Sequence, residues 1–520
     1  MICINLHPIL KRGALVLVAL ACAQPALPAT AATAATCENL ASLSLPNTKI
    51  TMAQIVTGGS FTAPGSNNAM QNLPAFCRVA ATLTPSSDSD IRMELWLPMD
   101  GWNQKFQGVG NGGWAGSITY GALATALRRG YATSSTDTGH QAPVTSAEWA
   151  LGHTEKVVDY AWRSEHEMTE KSKAIIKAFY NQEPKYSYWT GCSGGGKQGL
   201  AEAQRFPEDY DGIVSGASAY DLVPLHAAWI RLAQVAHKTE ASYIPPEKYS
   251  LIHNAVLEAC DAMDGAKDGL LENPLKCKFD PKVLACKGAD GPNCLTAPQV
   301  EAASEIWSPT RNSRTHKVIM PPLLPGSENA WGTLAGPLTD NAPASRESSV
   351  AINTYKYWIF KNPNWDYKTL NFDKDLDYAY KVDNGLNSTN DPNLKPFFAR
   401  KGKLLMYHGW ADQIVPPQHS IEYVEAVQKK TGAAANDSLR LFMVPGMEHC
   451  GGGVGPNQFD YVSAMEQWVE QGKAPTEMIA THMTAGKADR ARPLCAYPQV
   501  AKYKGTGSLD DAANFSCAAQ

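Results

Sequence analysis

The sequence predicts an α/β fold: a largely parallel sheet with crossover helices, interrupted late in the chain by one large insertion. Three observations predict it. Between residues 186 and 214 the chain reads strand, glycine turn, helix, strand, which is how parallel sheets are wound. From about Leu222 to Pro396 that alternation breaks down into sequence rich in Pro, Asn, Asp and aromatics. It then returns between Lys403 and Gln471.

The individual elements follow from periodicity. Ile91, Met93, Leu95 and Leu97 alternate with Arg92, Glu94 and Trp96, a period of two that ends at Pro98 and predicts a strand. Lys105–Val109 reads as a strand running into the glycine-rich loop Gly110-Asn111-Gly112-Gly113. Good helix formers run from Glu155 to Tyr180, with Val158, Ala161, Trp162, Ile175, Ile176 and Phe179 at helical spacing, and Pro184 stops them. Tyr186–Trp189 is strand-like, Lys197 to Pro207 helical, and Gly212-Ile213-Val214 a short strand. After the insertion come a buried strand at Lys403–Tyr407, a helix at Ile421–Lys430, a strand at Leu439–Val444 and a helix at Phe459–Gln471. Trp331, Trp358, Trp365, Phe397 and Phe398 imply that the insertion is a packed body rather than a linker.

Composition bounds the function. The 520 residues are 44% hydrophobic and only 18% charged, with a net charge of −4. That balance excludes a disordered chain and lacks the basic face of a nucleic-acid binder. Lys11 and Arg12 precede a short apolar run from Ala14 to Ala21 and the small residues Ala21-Cys22-Ala23, the pattern of a signal peptide, with an Ala/Thr/Pro spacer to about Ala35. Ala19-Leu20-Ala21-Cys22 keeps a lipoprotein site as an alternative. The run is shorter than the ~20 residues a spanning helix needs, and no later segment is apolar enough to cross a membrane. The expected location is secreted or periplasmic. Nothing in the sequence speaks to oligomeric state.

Cleavage would remove Cys3 and Cys22 and leave ten of the twelve cysteines in an oxidising compartment, which points to disulfides. No C-x-x-C pair suggests structural zinc. Cys260/Cys277 and Cys286/Cys294 suit local clips, and Cys495/Cys517 would tie down the tail, although spacing does not dictate connectivity.

Gly191-Cys192-Ser193-Gly194-Gly195 fits the G-x-S-x-G nucleophile elbow, between a strand and a helix as that turn requires. His408-Gly409-Trp410-Ala411-Asp412 follows a buried strand and offers an acid on the loop beyond it. Pro445-Gly446-Met447-Glu448-His449-Cys450 follows the next strand. Ser193, Asp412, His449 is the chain order of an α/β-hydrolase triad. Asp412 alone could equally cap the helix near Pro417; the three together favour the triad. Ser193 is expected to attack a carbonyl, His449 to shuttle the proton, and Asp412 to orient the imidazole. Two oxyanion donors are expected, the N–H of Gly194 and one from Gly112 or Gly113. An assembled triad would also bring Cys192 beside Cys450, bonding nucleophile and base loops together.

Cys192-Ser193, Asp412 and His449-Cys450 resemble the signature of the tannase and feruloyl esterase family of secreted serine esterases, over essentially the whole mature chain. The resemblance implies an α/β-hydrolase catalytic domain from residues 36–221 and 397–520, and a lid inserted at 222–396 that binds calcium. It also implies the pairs Cys37–Cys77, Cys192–Cys450, Cys260–Cys277, Cys286–Cys294 and Cys495–Cys517. The residues support calcium independently: Asp261, Asp264, Asp268 and Glu272 put several hard oxygen donors in a dozen residues with glycines between, although not at EF-hand spacing. By resemblance the ligands are the side chains of Asp261, Asp264 and Asp268 and the backbone carbonyls of Ala266 and Leu270.

The expected activity is hydrolysis of small aromatic esters, feruloyl or other hydroxycinnamoyl first. Galloyl esters and the terephthaloyl monoester of a polyester fragment are the alternatives within the family, and the insertion would supply an aromatic-walled pocket. A reading of a different class is a calcium-stabilised secreted binding protein with an inactive hydrolase core. A peptidase would use the same triad, but no feature favours peptides.

Overall fold

The computed structural model describes residues 35–519, apart from 337, 340, 341, 344 and 345. The expected leader, Cys3 and Cys22 included, lies outside the described residues except for Ala35. One nine-stranded sheet organises the chain. Its strands are β1 (Thr48–Val56), β2 (Phe76–Leu83), β3 (Ile91–Pro98), β4 (Lys105–Val109), β5 (Ala132–Thr136), β6 (Tyr186–Cys192), β7 (Gly212–Gly216), β8 (Lys403–Gly409) and β9 (Leu439–Val444). They lie in the order β1-β2-β3-β5-β4-β6-β7-β8-β9. The first three and β5 pair antiparallel to one another in turn; from β5 to β9 every pairing is parallel.

Parallel pairing needs crossovers, and helices supply them on both faces. On one face α2 (Ser164–Tyr180), α3 (Gly194–Arg205) and α5 (Pro417–Thr431) bury Met168, Ile175, Ile176, Leu200, Ile421, Val424 and Val427 against the sheet. On the other, α1 (Tyr120–Arg128) and α6 (Tyr461–Gln471) bring Ala126, Met465 and Trp468 onto Tyr188, Leu405 and Phe442. Between β7 and β8 the insertion is mostly helical, beginning with α4 (Leu222–Ala236), and adds no strand to this sheet.

Several expectations are corrected in detail. Despite its period-two alternation, β3 is buried on both faces. Its polar-face Glu94 accepts from Arg78 and from Trp96 Nε1, both at 2.9 Å, and Trp96 stacks on Phe76. Its period-two pattern therefore records an internal ion pair rather than a wet face. The helix expected over 155–180 is broken into Thr154–Val158, a widened turn at Asp159–Arg163, and α2. Trp331 and Trp358 lie in the insertion's own core and Trp365 packs against it, whereas Phe397 and Phe398 belong to the core of the sheet. The five disulfides are Cys37–Cys77, Cys192–Cys450, Cys260–Cys277, Cys286–Cys294 and Cys495–Cys517.

Close packing at the strand ends is what positions the site. A side chain at Gly216, the last residue of β7, would place its Cβ 2.2 Å from the ring of Tyr407 on β8. Both are buried, so Gly216→Ala must displace the ring or the strand, and overpacking of this kind costs about 1–3 kcal/mol. The variant is expected to melt measurably lower than wild type; an unchanged melting temperature would contradict the packing.

Candidate active site

Four loops leave the C-terminal ends of β4, β6, β8 and β9, where open α/β sheets place their sites. The loop after β6 is the elbow. Ser193 has φ 59° and ψ −121°, a conformation L-residues rarely hold, and it is enforced from both sides. Ser193 N–H donates to Gly216 O at 2.9 Å, and Ser193 O accepts from Lys197 N–H at 3.0 Å. A Cβ at Gly191 would sit 2.3 Å from Gly195 O, and one at Gly195 would sit 2.9 Å from Asn111 O. The glycines are required by backbone proximity.

After β8, Asp412 is completely buried. Its Oδ1 accepts from the N–H groups of Ile414 and Val415, at 2.7 and 2.8 Å. Its Oδ2 meets two imidazoles: His449 Nδ1 at 2.8 Å and His408 Nε2 at 3.0 Å. Burial alone pushes this carboxyl up, but His449 and His408 outweigh it and hold the group below the usual carboxylate range. His408 stood in the sequence motif without a role, because a histidine ending a strand gives no sign of where its ring points. Its Nε2 also lies 2.9 Å from Val415 O, an acceptor only, so Nε2 carries a hydrogen; Nδ1 is held by Ser420 Oγ of α5 at 2.7 Å.

The loop after β9 brings in His449. Ala411 N–H donates to Met447 O at 3.0 Å and Trp410 N–H to Val444 O at 2.8 Å, zipping the acid and histidine loops together. A Cβ at Gly409 would lie only 2.1 Å from Met447 O. Cys450, at φ 65°, then turns the chain back, and its disulfide to Cys192 links positions 258 residues apart. Ser193 and His449 line one cavity of about 260 Å³.

The fourth loop lies against the N-terminus of α3. Asn111 N–H donates to Gln198 Oε1 at 2.9 Å, Gln198 Nε2 returns a bond to Asn111 Oδ1 at 3.1 Å, and Trp114 N–H donates to Val144 O at 2.9 Å. Between them, the N–H groups of Gly112 and Gly113 have no partner among the described residues. Gly112 Cα lies 3.6 Å from where a side chain at Gly194 would begin. Gly112, Gly113 and Gly194 all line the cavity beside Ser193. The insertion contributes Leu222, His226, Trp229 and Val350. The aromatic wall expected there is reduced to Trp229 and, from the core, Tyr160; Trp331 and Trp358 are spent on the insertion's own packing.

The acidic loop lies away from this cavity. Asp261 accepts from Asp268 N–H at 3.2 Å and Gly269 N–H at 3.0 Å, Asp264 from Ala266 N–H at 2.8 Å, and Asp268 from Leu270 N–H at 3.1 Å. The loop is thus folded round its own carboxylates, and its donors are all oxygen, the chemistry a hard divalent cation takes. Among the described residues the three aspartates do not form a group with one oxygen each within 4.8 Å of the others. Calcium ligands on opposite sides of the ion, at ~2.3–2.6 Å each, span about that distance. Arg492, from the C-terminal hairpin, is fully buried and pairs with Asp268 at 2.5 Å and Glu272 at 3.2 Å. Its place is a tertiary fact, since more than 200 residues separate it from the loop.

Comparison with known proteins matches this architecture. The family model described as tannase and feruloyl esterase covers residues 77–518. The chain belongs to the tannase and feruloyl esterase family. A family relative named "Uncharacterized esterase" from Xanthomonas campestris pv. campestris is 38% identical over 97% of this chain and 95% of its own length. One named "Probable feruloyl esterase B-2" from Aspergillus oryzae is 31% identical, covering 98% of this chain and 100% of its own. The crystal structure of feruloyl esterase B from Aspergillus oryzae superposes with a TM-score of 0.86 at 30% identity, over 93% of this chain and 99% of that one. Tannin acyl hydrolase from Aspergillus niger shares the fold, with a TM-score of 0.74 at 22% identity over 92% of each chain. Like those family members, this chain is a carboxylic ester hydrolase with an α/β-hydrolase core.

The Cys192–Cys450 link closes a loop of more than 250 residues, for which chain entropy predicts about 5–6 kcal/mol. Replacing both cysteines by alanine is expected to lower the melting temperature and, by loosening His449, to lower kcat more than it changes KM. Wild-type kcat in the double variant would show that the link does not position the histidine.

Proposed function

We propose that this protein is a secreted serine esterase that cleaves feruloyl and related hydroxycinnamoyl esters through an acyl-enzyme. The observation that carries the reading is His449, held by the buried Asp412 and facing the same cavity as the strained Ser193. Ser193 Oγ attacks the ester carbonyl while His449 takes its proton. The oxyanion that forms is met by the N–H of Gly194 and by the N–H groups of Gly112 and Gly113, which have no partner among the described residues. His449 then protonates the departing alcohol, and water releases the acid by the reverse sequence. Asp412 fixes the imidazole and stabilises its cation throughout. The relatives named for feruloyl esterase activity support the acyl group. The five disulfides support export, since such bonds persist in oxidising compartments.

Turnover of methyl ferulate with release of ferulate is the direct test. Ser193→Ala is expected to reduce kcat by at least about 10³-fold with the fold intact, because the nucleophile and its base act as a unit. A Ser193→Ala protein equal to wild type on every ester would instead favour an inactive core that only binds.

We also propose that Asp261, Asp264 and Asp268, with the carbonyls of Ala266 and Leu270, hold a structural calcium ion that stiffens this loop and its Cys260–Cys277 clip. Chelation is expected to lower the melting temperature and added calcium to restore it, by about 2.7 kcal/mol at a hundred times Kd. No metal by elemental analysis of the purified protein, and no effect of chelator, would refute the ion.

A further inference from the structure

One polar atom of the cavity-lining residues is left over by this chemistry. Leu222, His226 and Trp229 sit three and four residues apart on α4, so they share one helical face, and all three line the cavity. His226 is only 3% exposed. Its Nδ1 lies 2.8 Å from Thr354 Oγ1, while its Nε2 has no partner among the described residues. A polar atom on a nearly buried residue that no protein group satisfies asks for an explanation.

The hydrogen bonds around Thr354 determine which nitrogen carries the hydrogen. Thr354 Oγ1 has three neighbours: Trp114 Nε1 at 3.2 Å, Val350 O at 2.9 Å and His226 Nδ1 at 2.8 Å. Trp114 Nε1 only donates and Val350 O only accepts. The single hydroxyl hydrogen therefore goes to Val350 O, and the remaining lone pairs accept from Trp114 and from His226. His226 Nδ1 must then be the donor. Burial, with Lys197 adding to it, pushes this imidazole down to about 3, so it is neutral at ordinary pH and Nε2 is bare. A ring nitrogen of this kind accepts a hydrogen bond and offers none.

We infer that His226 Nε2 is a specificity element that accepts a hydrogen bond from a hydroxyl on the aromatic ring of the acyl group. This rests on the esterase reading above and narrows it to acyl groups carrying a ring O–H. Hydroxycinnamoyl and galloyl groups both supply that donor, at different distances from the ester carbonyl. A terephthaloyl monoester does not: its carboxylate would set acceptor oxygens against an acceptor nitrogen. A site built to bond a substrate hydroxyl disfavours the analogue lacking it, because the site's own polar atom is then left buried and unpaired.

The test compares kcat/KM on two pairs of esters that differ only in ring hydroxyls: methyl ferulate against methyl 3-methoxycinnamate, and methyl gallate against methyl benzoate. Wild type is expected to favour the hydroxylated member of at least one pair by about tenfold or more, and the pair that discriminates reports the acyl length the cavity takes. In His226→Phe that ratio is expected to fall to within about twofold of one. His226→Gln, whose Oε1 is again an acceptor, should restore part of it, which a merely structural role would not predict. Discrimination that is absent in wild type, or unchanged in His226→Phe, overturns the assignment while leaving the esterase reading standing. No turnover of any of the four esters by wild type refutes that reading and this inference with it. Should His226→Phe fail to fold, competitive inhibition of wild type by ferulate against 3-methoxycinnamate decides the matter. Stronger inhibition by ferulate supports the contact, and equal inhibition overturns it.

Discussion

The site depends on one buried carboxylate. Asp412 is shut off from water, where an unpaired charge costs several kcal/mol, and the surrounding chain answers that cost with four hydrogen bonds. Two come from the backbone of its own loop and two from imidazoles. His408 and its partner Ser420 tie the carboxylate to β8 and α5, so that only His449 is left pointing at the cavity. The charge that orients His449 is thereby held by groups that cannot themselves reach substrate. Such a network rigidifies because every member is satisfied.

The rest of the constellation is held by contacts between backbones. The elbow is pressed against Gly216 and Asn111, the acid loop against the histidine loop, and the oxyanion loop against the first turn of α3. Glycine stands wherever a Cβ would enter a neighbouring chain. The Cys192–Cys450 bond joins the two loops that have to meet but lie farthest apart in sequence. The insertion roofs this arrangement, and its core runs without a break into Trp114, Ala219 and Ile414 of the catalytic loops. Trp229 reinforces the join by donating to Ile414 O at 2.7 Å. Roof and floor are therefore packed as one, and the acyl pocket takes its shape from both.

The strands and helices that carry the site were legible because each has its own period and its own punctuation. The elbow, the acid loop and the histidine loop could be read as local strings, and their order along the chain was enough to name a triad. The edge strand β1, its neighbour β2, the short β5 and the helix α1 were not read. The residues of β5, Ala132-Thr133-Ser134-Ser135-Thr136, are small and polar yet wholly buried, with Thr133, Ser135 and Thr136 bonded to Gln107, Thr119 and Arg92, partners that local sequence does not show. On β3 the alternation gives no sign that Glu94 is paired inside, with Arg78.

By itself the sequence determined the chemistry: which side chains were available to attack, to shuttle a proton and to be joined by sulfur. That information is local, a matter of residue type and spacing. The tertiary structure alone decided the partners. It set His408 behind Asp412, laid Arg492 against the acidic loop from more than 200 residues away, and placed His226 in the cavity lining with its Nδ1 on Thr354. Those are relations between segments distant in sequence, set by how buried polar groups satisfy one another once the core has closed, and no short stretch of the chain contains them.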